Sequence, residues 1–160
     1  MEAMSRLANH PFSIPGLSDG GAHMKFLTAA IYPTYFLGKL CRDNNVMSLE
    51  KAHWKLSAYP AQVAGIRDRG HLTEGFGADI VIYDLDELDY GPMEKLQDFP
   101  ADDWRLVQRP KGYKYIIVNG VVTFTDDSQC TGETPGRFLR NGIASAPPVK
   151  IAKVNKKDVA

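Results

Sequence analysis

Leu17-Ser18-Asp19-Gly20-Gly21-Ala22-His23 is the stretch on which the fold turns. A short apolar run, Phe12 to Leu17, leads into a carboxylate, two glycines and an imidazole. Read as a buried strand, that run puts Asp19 where the strand stops and the chain turns. The glycines permit positive φ and leave room for something to approach the backbone. His23, four residues past Asp19, can then fold back over the same opening. Ser-Asp-Gly-Gly is also an ordinary turn composition, so the stretch needs support from the rest of the chain.

Further segments supply it. Downstream come Ile31-Tyr32-Pro33-Thr34-Tyr35-Phe36-Leu37-Gly38, Ser57-Ala58-Tyr59-Pro60-Ala61, Asp68-Arg69-Gly70, Gly75-Phe76-Gly77-Ala78-Asp79, Val118-Asn119-Gly120-Val121-Val122 and Thr131-Gly132-Glu133-Thr134-Pro135-Gly136-Arg137. With the Asp19 heptapeptide, these segments in this order resemble the N-acyl-D-amino-acid deacylase (D-aminoacylase) group of the amidohydrolase superfamily, over about residues 1 to 140. The resemblance implies an α/β fold: the terminal strand and helices of a (β/α)8 metal-dependent hydrolase barrel, plus a small accessory β-sandwich (composite) domain. In such a barrel the carboxyl rim of the strands is where catalytic side chains collect. Most of the barrel lies upstream of this motif in the family, so the chain is expected to be the carboxy-terminal part of a longer hydrolase.

Composition sets outer bounds. A chain of 160 residues accommodates one domain or a domain and a part. Nineteen basic side chains balance nineteen acidic ones, so no field favours nucleic acid or an anionic membrane. No apolar run approaches the ~18 residues that span a bilayer, and no signal-peptide pattern opens the chain. A cytoplasmic protein is the expectation. Cys41 and Cys130 lack partners at metal spacing and read as free, buried thiols.

The chain divides in order. Ala3, Met4, Leu7 and Ala8 recur at helical spacing. A helix starts near Tyr32 or Pro33, because proline suits a first turn, and runs to about Asp43 with Phe36, Leu37, Leu40 and Cys41 as its apolar stripe. Ser48 is a good N-cap for a second helix bearing Leu49, Ala52 and Leu56, and a short helical piece follows over 61–65. From Ile66 the pattern turns to strands. Ala78 to Asp84 is a continuous apolar run of the kind covered on both faces. Tyr113 to Val118 and Val121 to Thr125 flank Asn119-Gly120, the strongest short hairpin signal. The expected domains are 1–65, the last part of the barrel; 66–140, an accessory β domain with a long 85–112 insertion; and 141–160, a lysine-bearing tail. The insertion carries Pro92, Pro100 and Pro110 and reads as an irregular connection anchored by Trp104 or mobile.

By the resemblance, Asp19 is the aspartate capping the last barrel strand. There it meets the active-site zinc and acts as general base, taking a proton from the metal-bound water and passing it to the leaving amine. The implied reaction is hydrolysis of the amide bond of N-acyl-D-amino acids, with a small acylated amino acid as substrate. His23 either binds that substrate or is a structural turn histidine. His10, His53 and His71 have no partner spacing and read as surface or core residues; Tyr32 and Tyr35 read as core or pocket wall. A zinc site needs at least three protein ligands, and no His-x-His occurs in the sequence. The chain alone is therefore expected to be inactive and poor in zinc. The alternative is a non-catalytic module, a homo-oligomer that self-associates through its β domain and uncovered barrel seam; a third reading has it complement a separate chain that carries the barrel.

Overall fold

The computed structural model describes residues 2–126 and 129–140. The expectation for the tail over 141–160 lies outside the described residues. Helix α1 (Glu2–Asn9) is followed by an irregular stretch that leads to a single 3-10 turn, Ala29–Ile31. Helix α2 (Tyr32–Tyr35) then runs directly into a π-helical segment, Phe36–Asp43. Helices α3 (Leu49–Leu56) and α4 (Ala58–Val63) complete the helical half.

Local chemistry accounts for these elements. Pro33 sits in the first turn of α2, where its missing N–H costs nothing. Ser48 caps α3, its hydroxyl accepting from Lys51 N at 3.3 Å. Pro60 is accommodated in the first turn of α4, which begins three residues earlier than its pattern suggests. Phe36, Leu37, Leu40 and Cys41 form the buried stripe, joined by Met47 and Ala52. Leu88, from beyond the helices, closes that core.

Among the described residues the β half has six strands: β1 (Ile80–Tyr83), β2 (Asp89–Phe99), β3 (Asp103–Lys111), β4 (Tyr113–Val118), β5 (Val121–Thr125) and β6 (Gln129–Cys130). Strands β1-β4-β5-β6 make one antiparallel sheet, with Ile80 opposite Ile117 and Val118 opposite Val121. Asn119 and Gly120 both take positive φ, 49° and 81°, which makes the β4–β5 connection the primed turn that matches strand twist. Gly112 holds φ 87° against the Leu88 backbone, where a Cβ would come within 2.8 Å of Leu88 N and Cα.

Two expectations are corrected. The 85–112 insertion is not irregular: β2 and β3 form a two-stranded antiparallel hairpin. Its prolines occupy places that need no ladder donor. Pro92 lies where the register shifts between Tyr90 and Met93, Pro100 opens the connecting turn, and Pro110 stands near the end of β3. Phe12 to Leu17 is not a buried strand. Phe12 is 83% and Leu17 88% exposed, Leu17 has φ 64°, and the segment has no neighbouring strand among the described residues. An extended run becomes a strand only when a partner ladder satisfies its backbone.

Of the two thiols, Cys41 is buried as expected and Cys130 is exposed, because it lies on the short edge strand β6.

Candidate functional site

The Asp19 stretch is a series of tight turns. Asp19 takes φ 50°, Gly21 φ 96°, and Gly20 N donates to Ser18 Oγ at 3.1 Å. The Asp19 carbonyl accepts from Ala22 N at 3.2 Å and His23 N at 3.3 Å. The two residues singled out by sequence thus share one turn, held by backbone bonds, and both are exposed. The His23 ring packs on Phe26 at 5.1 Å between centroids.

Both ends of this stretch are clamped. On the upstream side the ammonium of Lys55, from α3, donates to His10 O and Ser13 O at 2.7 Å each and to Ser13 Oγ at 3.1 Å. Downstream, the β2–β3 hairpin grips the chain: Leu106 N donates to Met24 O, Lys25 Nζ pairs with Asp103 Oδ1 at 2.6 Å, and Thr28 Oγ1 donates to Gln108 Oε1 at 2.8 Å. Trp104 joins this contact through the Lys25 ammonium, 5.5 Å from its ring. Sequence reading singled out Trp104 as an anchor; it gave no sign of Lys55, whose partners are carbonyls that every residue possesses.

A concavity of about 1030 Å³ opens between the helices and the sheet. Its wall includes Thr34, His53, Trp54, Tyr83, Tyr113 and Tyr115, and neither Asp19 nor His23 lines it. Tyr83 Oη lies 2.7 Å from His53 Nε2, and Thr34 Oγ1 lies 2.8 Å from Tyr113 Oη. Burial pushes both phenols above the usual tyrosine range. These pairs bring helix and strand residues together and have no short-range sequence signature.

A metal fits the described residues poorly. No three His, Cys, Asp or Glu side chains among them come together as a metal-holding group, and three protein ligands are the least a zinc centre needs. Asp19 can offer carboxylate oxygens and move a proton; it cannot fix an ion alone.

The Amidohydrolase family model matches residues 1–124. The chain belongs to the amidohydrolase family. This amidohydrolase chain is 34% identical over 116 residues to an N-acyl-D-glutamate deacylase of Alcaligenes xylosoxydans xylosoxydans, covering 71% of the chain and 22% of the relative. It is 29% identical over 130 residues to a D-aminoacylase of the same organism, covering 79% of the chain and 25% of the relative. Among solved structures it resembles D-aminoacylase, with a TM-score of 0.51 and 28% identity over 68% of this chain and 21% of that one. A second D-aminoacylase structure, described as having a binuclear metal centre, matches with the same score. The chain spans about a quarter of the length of the curated relatives it matches. No helix among the described residues is long and apolar enough to cross a membrane.

Proposed function

We propose that this chain supplies one acid–base carboxylate, Asp19, to a D-aminoacylase-like amidohydrolase that cleaves the amide bond of N-acyl-D-amino acids. The observation that carries the reading is the family match, which runs through Ser18-Asp19-Gly20, together with relatives named as deacylases of acylated D-amino acids. Residues 1–65 belong with the barrel, and 66–140 form the accessory β domain with the β2–β3 hairpin as its arm. The metal of the complete enzyme is zinc, Asp19 is this chain's part of its surroundings, and the remaining ligands come from polypeptide outside these residues. His23, four residues from Asp19 in the same turn, contacts the substrate.

The proton chemistry assigned to Asp19 is simple. Its carboxylate accepts a proton from water as the water oxygen bonds to the amide carbon. It returns that proton to the nitrogen as the C–N bond breaks, leaving a carboxylic acid and an amine, which then exchange a proton to become carboxylate and ammonium. In the polypeptide that carries this chain together with the barrel, Asp19→Asn should lower hydrolysis of acylated D-amino acids by ~10²–10⁴. Activity retained within about tenfold removes Asp19 from that role. The 160-residue chain by itself should hydrolyse nothing.

A second reading, a self-associating non-catalytic module, has one observation in its favour. Phe12, Leu17, Leu72 and Phe138 are each more than four-fifths exposed, and large apolar side chains left in water favour association. Light scattering of the chain decides: a monodisperse monomer rules this reading out.

A further inference from the structure

Lys55 is completely buried on α3, yet no carboxylate lies within ion-pairing distance of it among the described residues. Burying an ammonium this way is expensive, and a hydrocarbon of the same length would fill the space with less desolvation. What only an ammonium can do here is hold several oxygens at once. Its three donors meet His10 O, Ser13 O and Ser13 Oγ. Ser13 Oγ in turn donates to Leu7 O at 2.6 Å or His10 O at 3.0 Å. Leu7 lies in the last turn of α1, a helix end that favours a cation, while His10 and Ser13 follow it; Leu7 O and His10 O also accept from His10 N and Ser13 N. The Tyr59 ring, 5.8 Å from Nζ, closes the site from the α4 side.

The consequence is felt downstream. From Ser13 the chain runs irregularly through Pro15 to Asp19, whose turn ends at His23, before the β2–β3 hairpin takes hold at Met24. Few bonds fix the intervening residues, so where they lie depends on the two clamps. One clamp is a hairpin spread over several bonds. The other is the local set of bonds that Ser13 and His10 make to the end of α1, tied to α3 by the Lys55 ammonium.

We propose that Lys55 is a positioning residue whose ammonium fixes the 10–13 bend and so delivers the Asp19 turn to its working place. The structural part stands alone; its catalytic meaning rests on the reading of Asp19 given above. Lys55→Met keeps the length of the side chain and removes all three donors.

Hydrogen exchange on the 160-residue chain reads the structural part without any activity. In Lys55→Met, the hydrogen-bonded amides of His10 and Ser13, and of Ala22 and His23 in the Asp19 turn, should exchange at least about tenfold faster, while those of α3 and the β4–β5 pair stay within about twofold of the parent. Lys39→Met, which removes only an exposed pair with Asp43, should leave both regions unchanged. Should Lys55→Met fail to fold, Lys55→Gln, which keeps a donor but removes the charge and two of the three bonds, should accelerate the same amides by about threefold. Unchanged exchange at 10–23, or acceleration spread evenly over the chain, overturns the proposal.

The second readout uses the amide-hydrolysing polypeptide that carries this chain. There Lys55→Met should lower kcat at least about tenfold with KM within about twofold, the signature of a misplaced catalytic group rather than lost substrate binding. Regional loosening with kcat unchanged overturns the positioning role even if Asp19→Asn is dead. A fully active Asp19→Asn overturns instead the reading of Asp19, and leaves the exchange result to decide what Lys55 holds.

Discussion

Arg69 and Gly77 share one volume: a Cβ at Gly77 would come within 2.0 Å of Arg69 Nη1. The guanidinium lies there because Nη1 donates to Asp79 Oδ2 at 2.7 Å, while Nε sits 3.9 Å from Asp68 Oδ1. Asp79 also accepts from Asn119 N at 2.8 Å, so one buried cation joins the end of the helical half to the β4–β5 turn. Arg69 is only 6% exposed, and a buried cation stripped of its partners is costly.

Gly77→Ala should therefore displace the guanidinium and destabilise the protein by about 2–3 kcal/mol, the worth of a hydrogen bond to a charged group together with local repacking. Asp79→Asn should cost at least as much, because its two carboxylate oxygens accept from Arg69 and Asn119 separately, and an amide keeps only one acceptor and loses the charge opposite the guanidinium. Urea titration of both variants checks the order: if Gly77→Ala matches the parent, the guanidinium has free space elsewhere and the network is not specific.

Gly112→Ala should be at least as damaging. The added Cβ meets backbone atoms of Glu87 and Leu88 rather than a flexible side chain, and φ is 87°. Strain and overpacking act together, for a loss of about 2–4 kcal/mol. Because Leu88 closes the helical core, the variant's Tm should fall together with near-ultraviolet signal from the tyrosines around it.

The phenols of Tyr83 and Tyr113 are held above the ordinary tyrosine value, both by burial first and Tyr83 also by Cys41 and Tyr113. The unfolded chain releases these protons near pH 10 while the folded chain still keeps them, so the unfolded state gains from rising pH. This stability is intact below pH 10 and is lost as pH climbs through the raised values. Absorbance at 295 nm should show phenols titrating late, and Tyr113→Phe should remove one of them; a single titration at the free-tyrosine position contradicts the burial.

The thiols should separate cleanly. Burial first and the Glu50 charge second push Cys41 up, and its Sγ donates to Met47 O at 3.4 Å; Cys130 is exposed. A disulfide reagent at pH 8 should consume one thiol quickly and the other about a hundredfold more slowly until denaturant is added. Equal rates would mean that the helical core opens freely.

What could be read in advance was whatever is decided within a few residues. Ser48 caps α3 because its hydroxyl reaches only three residues ahead, the Phe36-Leu37-Leu40-Cys41 stripe is a matter of helical period, and Asn119-Gly120 carries its own positive φ. Family membership was legible for a related reason: the motif segments keep their identity and order whether or not their partners are present.

Tertiary structure decided everything that needs a partner distant in sequence. Phe12 to Leu17 has a strand's composition but no ladder beside it, so it stays irregular. Residues 89–111 have proline-rich loop composition, yet two long segments satisfy each other and become a hairpin that grips Met24 and Lys25. Lys55 would pass for a solvent-facing helix lysine until His10 and Ser13 bring three oxygens to its ammonium. Periodicity and capping are written along the chain, whereas the worth of a charge or an unpaired backbone group depends on what the fold places opposite it.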